Sequence, residues 1–96
     1  MSAAIPSAIR LRVISPVRLL VEREVDFVGL PSLEGELGIL PGHAPFFIGL
    51  GKGKLNYRAG GRSESIFVRG GYAQVQPEEV IVMTEAGGDE SGEEAA

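Results

Sequence analysis

No cysteine occurs among the 96 residues, and histidine occurs once, as His43. The first absence excludes a disulfide framework and a thiolate metal site. The second leaves one imidazole with no second histidine and no thiol to join it, which makes a poor zinc site. No apolar run approaches the roughly 18–20 residues that cross a bilayer as a helix. The opening Met1-Ser2-Ala3-Ala4-Ile5-Pro6 carries no basic region and no long apolar stretch, so no signal peptide is expected. The expectation is a soluble cytoplasmic chain. Nor does any window hold an i, i+3, i+4, i+7 apolar stripe, so no amphipathic helix is expected.

An excess of one charge is missing from most of the chain as well. Through Ala86, nine Arg and Lys residues stand against nine Asp and Glu residues. The formal charge of −4 therefore lies in Asp89, Glu90, Glu93 and Glu94. A neutral body has no general attraction for nucleic acid. The acidic excess belongs to the tail and not to the fold.

What the chain does have is punctuation: 14 glycines and 6 prolines, with 44% apolar residues between them. That pattern predicts many short segments around one small core. Ile9-Arg10-Leu11-Arg12-Val13-Ile14 alternates with the period of a half-buried strand, and Ser15-Pro16 ends it. Val17 to Glu22 makes a second short strand. In Val25-Asp26-Phe27-Val28, alternation puts Val25 and Phe27 on one face, and Gly29, Pro31 and Gly35 then break the chain. Leu37 to Leu40, Phe46 to Ile48, Lys54 to Arg58, Ser65 to Val68, Tyr72 to Gln76 and Val80 to Thr84 read as further strands. Gly60-Gly61 reads as a hairpin turn, and Leu55 and Tyr57 share a face. The whole predicts an all-β domain, a sandwich or barrel of about eight to ten short strands. Residues 1–8 are an N-terminal extension, residues 9–86 the domain, and residues 87–96 an acidic tail expected to be disordered, since it has no large apolar side chain.

Chemical motifs are scarce. Lys52 follows Gly51, but a phosphate loop needs glycine where Phe46 stands, and neither Lys52 nor Lys54 precedes Ser or Thr. Gly49, Gly51 and Gly53 do not fit a dinucleotide fingerprint; they suit a loop with close backbone packing. No serine sits in a nucleophile elbow. Glu34 and Glu36 are two residues apart, a spacing that suits a solvated edge better than acid–base chemistry. Tyr57, Phe67 and Tyr72 imitate stacking platforms for single-stranded nucleic acid, but too few basic residues interleave them. No catalytic, metal or cofactor site is expected. The residues alone suggest a binding module or a structural subunit.

Three ordered segments carry a closer resemblance. They are Leu11-Arg12-Val13-Ile14-Ser15-Pro16, the run from Glu34 to Pro45 (EGELGILPGHAP), and Arg69-Gly70-Gly71-Tyr72-Ala73-Gln74-Val75 followed by Val80 to Ala86. Over roughly residues 9–86 the chain resembles the N-terminal domain of the epsilon subunit of F-type ATP synthases. The resemblance implies a flattened β-sandwich at the foot of the central stalk. Such a subunit is not an enzyme. It docks the gamma subunit and the polar loops of the c-ring, and it couples proton or sodium transport to ATP synthesis. It implies that Glu34, Glu36, Gly42 and His43 face the c-ring, and that Ser15, Phe46, Phe47 and Ile48 lie near gamma. Where the family often has Leu, Leu and Thr, this chain has Phe46, Phe47 and Ile48. The resemblance places the protein at the cytoplasmic face of a bacterial inner membrane, peripheral in the F1 sector. It implies a monomer when isolated, with no nucleic acid partner and no direct membrane insertion. Family members commonly continue into a two-helix hairpin that restrains hydrolysis and in some binds ATP. Here the ending from Gly87 to Ala96 does not start such a hairpin, so neither property is expected. The alternative reading is a free-standing β-sandwich binding module without a synthase role.

Overall fold

The computed structural model describes residues 6–88. Ten strands follow one another: β1 Ile9–Ile14, β2 Leu19–Val25, β3 Phe27–Ser32, β4 Gly35–Ile39, β5 Phe46–Gly49, β6 Lys52–Ala59, β7 Arg62–Arg69, β8 Tyr72–Gln76, β9 Glu79–Met83 and β10 Ala86–Gly88. They form two five-stranded sheets, ordered β2-β1-β9-β8-β5 and β10-β7-β6-β3-β4. The fold is all-β, a sandwich of two sheets over one core.

Alternation decides what each strand buries. In β1, Ile9, Leu11 and Val13 point inward and are fully buried, while Arg10 and Arg12 point out. Ala73 and Val75 of β8 and Val80 and Val82 of β9 continue that layer. Val28, Leu30, Ile39, Leu55, Tyr57 and Val68 line it from the other sheet. Each fully buried Val, Leu or Ile contributes about 1.5–3 kcal/mol relative to exposure. Gly60-Gly61 closes the β6–β7 hairpin with φ of 59° and 84°, the paired positive angles of a two-residue turn whose twist matches the strands.

Three local readings change. Val25 and Phe27 do not share a core face, because the chain changes sheets at Asp26. Val25 is buried at the end of β2, whereas Val28 and Leu30 are the buried residues of β3. Asp26 holds this corner: its N–H donates to the Arg58 carbonyl at 2.8 Å and its carboxylate accepts from Arg58 Nε at 3.1 Å. Second, Gly29 and Pro31 do not interrupt β3. Pro31 sits beyond the last β3–β6 pair, Gly29 with Asn56, and its carbonyl accepts from the Gly51 N–H at 2.7 Å. A missing amide hydrogen costs no ladder bond there. Third, Gly87 and Gly88 belong to the domain, as part of β10 paired with Val68 and Phe67 of β7. Lack of a side chain is what lets Gly87 fit: a Cβ there would stand 2.6 Å from Leu20 Cδ1. The expected disorder of the remaining tail, residues 89–96, lies outside the described residues.

One side of the sandwich is closed by a polar cluster. Tyr57 Oη donates to Glu64 Oε1 at 3.1 Å, and Arg23 Nη1 donates to Glu64 Oε2 at 3.2 Å. Arg23 belongs to one sheet and Tyr57 and Glu64 to the other. The Tyr57 and Arg23 hydrogen bonds hold the Glu64 carboxyl below its usual range. Burial, then the bond to Glu64, pushes the Tyr57 hydroxyl above its usual value. A depressed carboxylate stabilises the fold at pH above its unfolded value, near 4.5, and loses that contribution as pH falls through the folded value. Urea midpoints measured from neutral pH down past this range should fall less steeply for Glu64→Gln than for the parent chain. Parallel acid limbs would show that the cluster does not link pH to stability.

Candidate docking faces

Sheet register gathers the outward side chains of the first sheet into rows. Leu19, Ile14, Met83 and Tyr72 stand opposite one another across β2, β1, β9 and β8. Beside them run Arg12, Ile81, Gln74 and Phe47, across β1, β9, β8 and β5. Phe47 is 65% exposed, and its ring lies 4.9 Å from that of Tyr72. Leu19, Tyr72 and Met83 are exposed too. The result is an apolar belt on the solvent side of a sheet whose other side is already core. Its borders are charged: Arg12 pairs with Glu79, and Arg10 with Glu22 at 3.9 Å. Apolar surface rimmed by polar pairs is the anatomy of a protein-binding face.

A shallow depression of about 330 Å³ opens at one end of the belt, lined by Ile14, Ser15, Pro16, Tyr72 and Met83 among others. Ser15 shapes its rim. Its Oγ accepts from the N–H groups of Val17 and Arg18, at 3.3 and 3.2 Å, and so fixes the β1–β2 turn. Phe46 and Ile48 are half-buried and pack against the core, so Phe47 alone of that segment faces out.

The residues expected toward the c-ring fall into two places. Leu33-Glu34 is the two-residue loop between β3 and β4, where Glu34 N–H donates to Ser32 Oγ at 3.1 Å. Glu36 is exposed on β4, opposite Pro31. Gly42 and His43 lie beyond the other end of β4, which is about 13 Å long at the usual rise per residue. There the Pro41-Gly42 turn closes by a bond from the His43 N–H to the Leu40 carbonyl at 3.1 Å, with Gly42 at φ 86°. Glycine suits the positive φ of that turn position. His43 Nδ1 donates to the Ala44 carbonyl at 2.9 Å, and its ring leans on Phe46 at 5.1 Å. These contacts shape the loop. The structure therefore does not bring the two carboxylates and the histidine together. Among the described residues, no three His, Asp or Glu side chains gather as a metal site, and no helix is long and apolar enough to cross a membrane.

Sequence reasoning missed Ile14, Leu19, Ile81 and Met83. A signal was present in Val80-Ile81-Val82-Met83, which is apolar at every position. In a two-layer sandwich a strand has only one core face, so a strand apolar on both sides leaves apolar side chains on the outer face.

A family model for the ATP synthase Delta/Epsilon chain, beta-sandwich domain, matches residues 8–87. The chain belongs to that family. Among similar proteins, the ATP synthase epsilon chain of Nitratidesulfovibrio vulgaris (strain DSM 19637 / Miyazaki F) is 46% identical over 79 residues, covering 82% of this chain and 59% of its own length. That of Carboxydothermus hydrogenoformans is 43% identical over 86 residues, covering 90% of this chain and 63% of its own. The chain thus spans about three-fifths of the length of these epsilon chains. A chain in the Euglena gracilis mitochondrial ATP synthase (OSCP/F1/c-ring) superposes with a TM-score of 0.82 at 27% identity, over 91% of this chain and 56% of its own. A chain of the Tetrahymena thermophila mitochondrial ATP synthase central stalk and c-ring has a TM-score of 0.70 over 84% of this chain and 66% of its own. At 15% identity that second likeness shows the shared fold alone. The epsilon-chain β-sandwich is thus the frame that carries the apolar belt.

Proposed function

We propose that this chain is a non-catalytic central-stalk subunit of an F-type ATP synthase. It docks the gamma subunit through the outer apolar belt of the first sheet. It meets polar c-ring loops through the Glu34–Glu36 end of β4, and it transmits rotation between ion transport and ATP synthesis. It works at the cytoplasmic face of a bacterial inner membrane, peripheral as part of the F1 sector. The observation that carries this reading is the belt itself: Phe47, Tyr72, Met83, Ile14 and Leu19 on the open side of an epsilon-type sandwich. Burying aromatic and aliphatic anchors of this kind supplies most of the energy of a stable interface. Glu34 and Glu36 set register and orientation with basic loops more than they add affinity.

Titration calorimetry against the gamma subunit of the same organism tests it. One-to-one binding is expected. Phe47→Asp should weaken it about a hundredfold or more, since an anchor is lost and a charge is placed in the interface. A folded chain that does not bind gamma would instead support a free-standing binding module on the same scaffold.

A further inference from the structure

The depression at the end of the belt joins apolar walls to a charged edge. Ile14, Pro16, Tyr72 and Met83 supply apolar walls, and Glu85 is the one charged residue of its lining. Its volume of about 330 Å³ lies at the small end of the roughly 300–1,000 Å³ of ligand pockets, so it suits one long side chain. The backbone fixes Glu85 in place. Its N–H donates to the Arg69 carbonyl at 3.3 Å. Beside it, the buried Thr84 hydroxyl accepts from the Arg69 N–H at 3.1 Å and donates to the Ala86 carbonyl at 2.7 Å. The carboxylate rests on the open side of Gly70, where a Cβ would stand 3.0 Å from Glu85 Oε1. Glu85 is exposed, and it enters none of the ion pairs among the described residues.

We propose that this depression receives one lysine or arginine side chain from the subunit that covers the belt. The aliphatic stem lies against the apolar walls, and the cation sits on the Glu85 carboxylate. The inference rests on the rotor reading, with gamma as that subunit, and adds what gamma must present at this point. Continuity favours it, because Ile14, Tyr72 and Met83 belong to both the belt and the depression. Charge complementarity favours it as well. A partner seated on the belt takes water away from Glu85. An apolar side chain in the depression would leave that carboxylate dehydrated and unpaired, and an acidic one would add repulsion. A long basic side chain satisfies walls and edge together, since its stem is apolar and only its tip is charged.

Calorimetric titration of the whole chain with gamma, at low and at high salt, tests this with Glu85→Gln and Glu85→Lys. Both variants should keep the parent's urea midpoint, because Glu85 is exposed and unpaired. At low salt Glu85→Gln should weaken binding about tenfold, and Glu85→Lys about a hundredfold, as expected when a charge pair across an interface is cut or reversed. The parent's affinity should fall more steeply with salt than that of Glu85→Gln, which has lost the screened attraction. An acidic substitution of one lysine or arginine in gamma should restore binding to Glu85→Lys. Equal affinity and equal salt dependence for parent and Glu85→Gln would overturn the inference and leave the rotor reading standing. A folded parent chain that does not bind gamma at all would overturn both.

Discussion

Gly71→Ala should destabilise the domain by about 3 kcal/mol or more, a large share of the roughly 5–15 kcal/mol that holds a domain of this size together. Gly71 has φ of 96°, and a Cβ there would lie 1.9 Å from the Met83 carbonyl oxygen and 2.8 Å from Thr84 Cα. Both obstacles are backbone, so no rotamer change relieves them. Alanine at such a φ adds about 1–3 kcal/mol of strain. Relief requires β8 and β9 to separate where the belt and the depression meet. Gly60→Ala is the control: its φ is 59° and nothing lies within 4 Å of a new Cβ, so a loss of about 1–2 kcal/mol is expected. Urea unfolding followed by circular dichroism separates the two. Equal midpoints would mean that the β8 entry yields more easily than its contacts imply.

Leu11→Ala should cost about 2–5 kcal/mol, the range for deleting a buried leucine side chain and leaving a cavity. Leu11 is fully buried in β1, which pairs on both sides, with Arg23 of β2 and with Val80 of β9. Little can move in to fill the space. Met83→Ala provides the contrast, because Met83 is 40% exposed on the outer row. Its stability should stay within about 0.5 kcal/mol of the parent, while the proposed binding to gamma should weaken. If Met83→Ala lowers the urea midpoint as far as Leu11→Ala does, the outer belt is part of the fold's own core and not a docking face.

How much of this was visible in the sequence depends on where each side chain's role is decided. β1 and β8 carry clean alternation, and their bounds agree with the reading of Ile9 to Ile14 and Tyr72 to Gln76. The Gly60-Gly61 turn is a local matter of backbone angles, so it too was legible. The Asp26 corner was not, because a strand that changes sheets keeps its alternation while exchanging which residue is inside. β10 was not either: Gly87 has no side chain to report that Leu20 and the β7 backbone crowd it. The candidate site shows the same divide. Phe47 could be singled out from its own segment, but the belt around it exists only through register between strands distant in sequence. Glu34 and His43 look like neighbours in one motif, yet a full strand stands between them.

The parallel pairing of β1 with β9 sets Arg10 opposite Glu79, nearly the length of the domain apart in sequence. Contacts of such high order are made late, whereas the β3–β4 and β6–β7 hairpins close over two-residue loops. On a ribosome, the second sheet's hairpins are available before β9 has emerged. Ile14 and Met83 meet only after it has. A subunit docked on the belt as proposed would therefore be a reader of completion: it would have nothing to hold on a partly synthesised or misregistered chain, and assembly would itself select molecules that have finished folding.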